Sequence, residues 1–264
     1  MASRMIMSVD LSHHSRILDQ FTRQAAPFAA AAAIRNQEAL DRIVQWAETG
    51  PEDTVLDVAC GPGLLACAFA HVARHATGLD MTPAMLEQAH KTQQEQGLSD
   101  VSWQPGDVYS LPFPDAQFSI VSSRFAFHHL QDPFAALNEM KRVCKPDGRV
   151  VVADMSPLPE KAAALNAAEK LRDPSHVRAL PVDELRDLFQ RASLGSPQIN
   201  HYRMEGELED LLARSFPNEG DADRLRKIFA DSIPADALDL NTRQENGKIY
   251  YSLPVAVLVA KKSA

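Results

Sequence analysis

The stretch TVLDVACGPGLLACAFA, residues 54–70, joins a short apolar run opening on β-branched residues to the turn formers Gly61, Pro62 and Gly63, and then to a helix-like run from Leu64. Strand, glycine turn and helix follow without a linker. The alternation continues outward: a strand is predicted near 76–79, a helix over 83–96, strands over 101–104 and 118–122, a helix over 133–143 and a strand over 149–153. Upstream, Ala39, Leu40, Ile43, Val44 and Ala47 recur at helical spacing until Gly50-Pro51 ends the pattern. Parallel strands need crossover connections, so this rhythm predicts an α/β fold with a mostly parallel sheet covered by helices on both faces.

After Asp154 the rhythm changes. Helical segments are predicted over 160–172, 181–192, 207–214 and 222–229, broken by one strand over 198–203, and a β-rich run over 248–260 follows the turn pair Asn246-Gly247. Pro254 has no N–H to give a ladder, which predicts that the last strand begins at Val255 or bulges there. Composition excludes several classes. The 264 residues are 45% hydrophobic and 23% charged, enough to bury a large core, and the only short biased tract is Ala29 to Ala33. With 27 basic and 35 acidic side chains the net charge is -8, a poor match to nucleic acid. No apolar stretch approaches the roughly 20 residues of a membrane span and the start MASRMIMSVD lacks an apolar signal region, so no membrane partner is expected and the chain is expected to be soluble and cytoplasmic. Cys60, Cys67 and Cys144 are odd in number and lack a C-x-x-C pairing, which argues for reduced thiols and against a disulfide framework or a metal site.

The glycine turn places backbone N–H groups where a nucleotide-like ligand can sit, at the start of a helix. Gly61 to Ala66 also fits G-x-G-x-x-A, with Asp80 at 19 residues after Gly61, so a nicotinamide dinucleotide is one candidate. Asp57 weighs against it. A carboxylate at the strand end repels a pyrophosphate but suits an ammonium or sulfonium, which favours S-adenosylmethionine; the alternative is that Asp57 caps the turn.

Four stretches carry a resemblance: LDVACGPG (56–63), GLDMTPAML (78–86), GDVYSLPFPDAQFSIVSSRFAFHHL (106–130) and MKRVCKPDGRVVVADM (140–155). In this order and spacing the chain resembles a class I S-adenosylmethionine-dependent methyltransferase of the UbiE/type 11 kind. The resemblance implies a Rossmann-like seven-stranded sheet with a reversed final hairpin, and S-adenosylmethionine as cofactor. It implies that Gly61 and Gly63 admit the methionine portion, that Asp57 faces its charged end, that Asp80 accepts the ribose hydroxyls and that Met81 packs beside adenine. Asp107 and Val108 would meet the adenine edge, or Asp107 would cap Ser110 or a backbone group; Arg124 and Phe125 would line the methionine side. The organisation expected is an N-terminal helical lid (1–50), a cofactor-binding core (51–155), a helical substrate cap with one core strand (156–245) and a C-terminal core strand (246–264).

An activated sulfonium methyl needs alignment with its acceptor and exclusion of water, not a nucleophilic residue. The expected acceptor is a small organic molecule bearing an O, N, S or C nucleophile. His128 is the candidate proton acceptor, and both His128 and His129 have the alternative of orienting their loop. Phe28, with Phe21, would close over the site or pack in the core. Arg172, His176 and Arg178 would form a polar wall for an acidic or phenolic acceptor, or a salt-bridged turn with Asp173, Asp183 and Glu184. The cap has few aromatics, so a long isoprenoid quinone is not indicated. Rival readings are a nicotinamide oxidoreductase, which predicts a second crossover unit after Asp154, and a protein that binds the cofactor without methyl transfer. Charge and apolar distribution fit a monomer or a homodimer.

Overall fold

The computed structural model describes residues 11–263. Its strands are β1 (Thr54–Val58), β2 (His75–Asp80), β3 (Val101–Pro105), β4 (Phe118–Arg124), β5 (Cys144–Met155), β6 (Gln198–Glu207), β7 (Arg243–Glu245) and β8 (Lys248–Lys261). They form one sheet in the order β3-β2-β1-β4-β5-β8-β6, with β7 paired to β8. The first five are mutually parallel, whereas β8 runs antiparallel to β5, β6 and β7. The expected reversal at the end is therefore present, and no second crossover unit follows Asp154. The sheet has eight strands rather than seven, because Asn246 (φ 51°) and Gly247 (φ 78°) turn the chain tightly enough to pair three residues before them with β8.

Two expectations about strands need correcting. Pro254 neither starts nor bulges β8: its carbonyl accepts from Ser156 N at 3.0 Å, so its N-side faces the end of β5, where no ladder bond is demanded of it, and its pairing with Arg203 of β6 is undisturbed. β5 starts at Cys144, not Arg149, because Pro146-Asp147-Gly148 is accommodated as an irregularity opposite Phe118 and Ile120 of β4. A Cβ at Gly148 would lie 2.7 Å from Ser119 O, so glycine is what lets the two strands stay together there.

Period-two alternation sorts the sheet residues into two cores. On one face Val55, Ile120, Val151, Ala153, Val255, Val257 and Val259 pack with α2 (Gln37–Trp46), α3 (Leu64–Ala70), α6 (Ala162–Arg172), α8 (Leu208–Ser215) and α9 (Asp221–Ser232). On the other, Leu56, Val58, Val121, Val150, Val152, Ala256 and Leu258 pack with α5 (Pro133–Val143) and α7 (Val182–Arg191). α1 (Leu11–Ala30) and α4 (Pro83–Glu95) touch one another. α1 is tied down by buried polar side chains. His13 Nε2 bonds His129 O at 2.9 Å, and the Gln20 and Gln24 amides both donate to Ser215 O, at 2.5 and 3.2 Å.

Candidate functional site

Strand order reverses direction of growth between β1 and β4, and in open parallel sheets the crevice beyond the strand ends at such a point is where ligands bind. Here the loops after β1, β2, β3 and β4, closed by α1, form a cavity that is partly open to solvent. Two residues without glycine's freedom hold left-handed backbone at its rim, Ala59 (φ 55°) and Phe125 (φ 55°). Each is held by a sheet-like bond to the next strand, Cys60 N to Leu79 O at 3.0 Å and Phe125 N to Ala153 O at 2.9 Å. Such conformations cost about 1–3 kcal/mol and persist where the surroundings impose them, often at functional sites.

Two carboxylates of this cavity, Asp57 and Asp80, are buried. Asp80 accepts from Gly61 N and Thr82 N, both at 2.8 Å, one bond on each oxygen, so each oxygen retains acceptor capacity. Burial raises its pKa and these backbone donors oppose the rise. Asp57 accepts from Ser122 Oγ at 2.8 Å and is 1% exposed. Burial above all, with Asp80 adding to it, lifts its pKa to about 7 despite Ser122 and Arg124. It is thus poised to ionise when a cation arrives. Arg124 donates to Ile34 O at 3.3 Å, lies 4.6 Å over the Phe125 ring, and leaves its Nε buried without a partner.

Asp57, Gly61, Asp80, Met81, Asp107, Val108, Arg124, Phe125 and Phe28 are all brought to this cavity. Gly61 (φ +53°) has only the Met85 sulfur, 3.9 Å away, near where a Cβ would be. Gly63 departs from expectation: it does not line the cavity, and a Cβ on it would meet the Trp103 ring at 2.3 Å and Ala89 at 2.9 Å, so its glycine serves packing of β3 and α4 on the turn. Asp107 takes its capping role, with Oδ1 accepting from Tyr109 N at 2.9 Å, while remaining on the cavity wall.

A second cavity adjoins the first. Phe21, Phe28, Ile34, Phe125 and His129 line both, so these side chains are the partition. His128 faces the second cavity; its Nδ1 is 2.5 Å from Asp154 Oδ1 and its backbone N donates to Asp154 Oδ2 at 3.1 Å. The Asp154 contact takes Nδ1 and leaves Nε2 as the other ring nitrogen. His129 lies beside it, ring centroids 4.2 Å apart, and bonds Ser175 Oγ at 3.1 Å, while Ser175 Oγ donates to Asp173 at 2.5 Å. Burial first, then His128, lowers the His129 pKa to about 3, so this ring is neutral.

Of the expected polar wall only Arg172 lines the cavity, held 2.7 Å from Glu169 and 3.8 Å from Asp173. His176 instead bonds Asn166 Oδ1 at 2.7 Å, with burial pushing its pKa far down, and structures the loop behind His128. Arg178 pairs with Glu184 at 2.6 Å on the exposed surface, which is the salt-bridged alternative. Sequence reasoning missed Asp154, Gln24, Arg214 and Tyr251 as cavity-facing or supporting groups. Asp154 had a signal: like Asp57 and Asp80, it is a carboxylate near the carboxyl end of a parallel strand. Among the described residues no cluster of His, Cys, Asp and Glu fits a metal ion, and no helix is long and apolar enough to cross a membrane.

Residues 56–152 match the family described as "Methyltransferase domain". The chain is 33% identical over 197 residues to the uncharacterized methyltransferase YcgJ of Bacillus subtilis, covering 74% of this chain and 78% of that protein. The crystal structure of YcgJ superposes with a TM-score of 0.76 at 28% identity, over 86% of this chain and 99% of that one. A putative methyltransferase from Bacillus halodurans C-125 gives the same TM-score at 26% identity, over 86% and 100%. UbiE of Ruegeria sp. TM1040, a ubiquinone/menaquinone biosynthesis C-methyltransferase, is 36% identical over 122 residues, 45% of this chain and 49% of that protein. The loops after the first four strands, the reversed β8 and these relatives agree, and the chain belongs to the class I S-adenosylmethionine-dependent methyltransferases of the UbiE/type 11 kind.

Proposed function

We propose that the first cavity holds S-adenosylmethionine, that the second holds a small organic acceptor under the 156–245 segment, and that His128 takes the acceptor's proton. The observation that carries this reading is the shared partition: two cavities, one walled by Asp57 and Asp80 and the other by His128, meet at Phe21, Phe28, Ile34, Phe125 and His129. The donor set fits the cofactor. Asp80 retains one acceptor site per oxygen for a ribose diol after serving Gly61 and Thr82. Asp57, buried and able to ionise near neutrality, suits the charged methionine end, and Arg124 beside it suits the carboxylate. Met81 and Val108 offer apolar surface to a base, with Asp107 at its edge.

When bound, S-adenosylmethionine supplies an already activated methyl group. The residues of this chain therefore position, dry and deprotonate. Phe21, Phe28 and Phe125 exclude water from the partition and fix the line of approach. His128 Nε2 receives the acceptor proton, and Asp154 stabilises the imidazolium that results, in the geometry by which a buried carboxylate orients a catalytic histidine. The buried free cysteines and acidic net charge accord with a reducing compartment and a small-molecule partner. Calorimetry is expected to give micromolar affinity for S-adenosylmethionine and none for NAD, and small nucleophilic acceptors are expected to yield S-adenosylhomocysteine; a preference for NAD, or no product above background from any acceptor, overturns the reading.

A further inference from the structure

Among the described residues, the second cavity contains one cation, Arg214, that forms no ion pair. Arg172 is committed to Glu169 and Asp173. Arg214, in the last turn of α8, lines the same cavity, and among the described residues its one hydrogen bond is to the neutral Tyr251 hydroxyl, at 3.3 Å. No ion pair joins it to Asp210 one turn earlier, and Glu205 and Glu207 on nearby β6 are taken by Arg243 and Lys248, at 3.0 and 2.8 Å. Its direction is built in. Gly206 pairs with Tyr251 across β6 and β8, and a Cβ on Gly206 would lie 2.4 Å from the Tyr251 ring, so the glycine admits the phenol that meets Arg214.

Arg214 also borders a surface groove with Pro27, Ala30, Gly206 and Tyr250, so it lies where the cavity and that groove meet. The same cavity is lined by the apolar side chains of Met155, Met204, Phe229, Leu240 and Leu253, beside the Arg172, Glu169 and Asp173 cluster. We infer that the acceptor is an amphipathic carboxylic acid: its nucleophile lies at His128, its apolar body spans the cavity, and its carboxylate is held by the guanidinium of Arg214. A planar fork of N–H donors matches a carboxylate, and a guanidinium lacking an internal counter-ion gains most from a ligand that brings one. This inference rests on the second cavity being the acceptor site.

The test uses full-length protein and a panel of hydroxyaryl and ω-hydroxyalkyl carboxylic acids, each beside its methyl ester, with binding read by calorimetry on protein saturated with S-adenosylhomocysteine and methylation read separately as product formed from S-adenosylmethionine. At least one acid is expected to bind about tenfold or more tighter than its ester, a difference near 1.4 kcal/mol. Arg214→Met is expected to remove that preference by weakening the acid and not the ester, mostly in KM, with S-adenosylhomocysteine affinity unchanged. Arg214→Lys is expected to restore part of it. Equal binding of acids and esters to the unmodified enzyme, or equal weakening of both by Arg214→Met, overturns the assignment. The two readings fail apart: an ester methylated as well as its acid sinks the Arg214 assignment and leaves the acceptor cavity standing, whereas cofactor binding with neither class bound or methylated sinks both.

Discussion

The two cavities are built by opposite means. The first takes most of its polar groups from the carboxyl ends of strands and the loops that follow them: Asp57 within β1 and Gly61 after it, Asp80 ending β2, Asp107 after β3, Arg124 ending β4. The second is gathered from α1, the loop after β4, α6, β6, α8, α9 and β8, and its polar contacts join residues as far apart as Gln24 and Ser215. One wall is specified by short-range geometry and the other by tertiary packing. The lesson is that a shared chemistry is carried by the strand-end loops, while the part that chooses a partner is free to be assembled from distant segments.

The comparison breaks most sharply if each cavity is disabled alone. His128→Asn keeps the fold but removes the proton acceptor, and kcat is expected to fall about a hundredfold to a thousandfold with cofactor affinity unchanged. If cofactor binding falls equally, the division of labour is wrong. Asp80→Ala works the other way: two backbone N–H groups lose a charged partner, and calorimetry is expected to show cofactor affinity about a hundredfold weaker. Gly63→Ala separates packing from binding inside the first cavity. The added methyl meets Trp103 and demands a left-handed alanine, so denaturation is expected to show a loss of about 2 kcal/mol while the affinity of the folded fraction holds.

Asp57→Asn sharpens the electrostatic half of the comparison. In the empty enzyme the Asp57 pKa is near 7, so cofactor affinity is expected to climb between pH 6 and 8 as the carboxylate ionises, with proton release on binding. The asparagine variant is expected to bind about tenfold more weakly at pH 8 and to lose that slope. The sign for stability is opposite. Because the folded value lies above the unfolded one of 3.8, the unfolded chain holds fewer protons across this window, and the empty enzyme loses stability from about pH 4 to 7. The smallest expected effect is Gln24→Ala, about 1 kcal/mol in thermal unfolding, since it leaves one of two amide donors on Ser215 O and frees one side of Asp173.

How much was legible follows the same divide. β1 and α5 fall where periodicity put them, and the carboxylates Asp57 and Asp80 sit beside turns whose residues announce themselves. The errors arise where a local signal met a tertiary solution: Pro146-Asp147-Gly148 looks like a turn but lies within a strand, and Gly63 looks like a ligand contact but makes room for Trp103. Arg178, close in sequence to Arg172, lies on the surface, whereas Arg214, remote from it, shares its cavity. Neither placement has any periodic trace, because each depends on how the helices after β5 pack against β8.

The anchoring of α1 carries one more consequence. Phe21 and Phe28 of that helix wall both chambers, and His13, Gln20 and Gln24 fasten it to the His129 carbonyl, the Ser215 carbonyl and Asp173. On the proposed reading, the same fastenings bear on both chambers at once, so loosening α1 is expected to disturb donor and acceptor binding together rather than either alone.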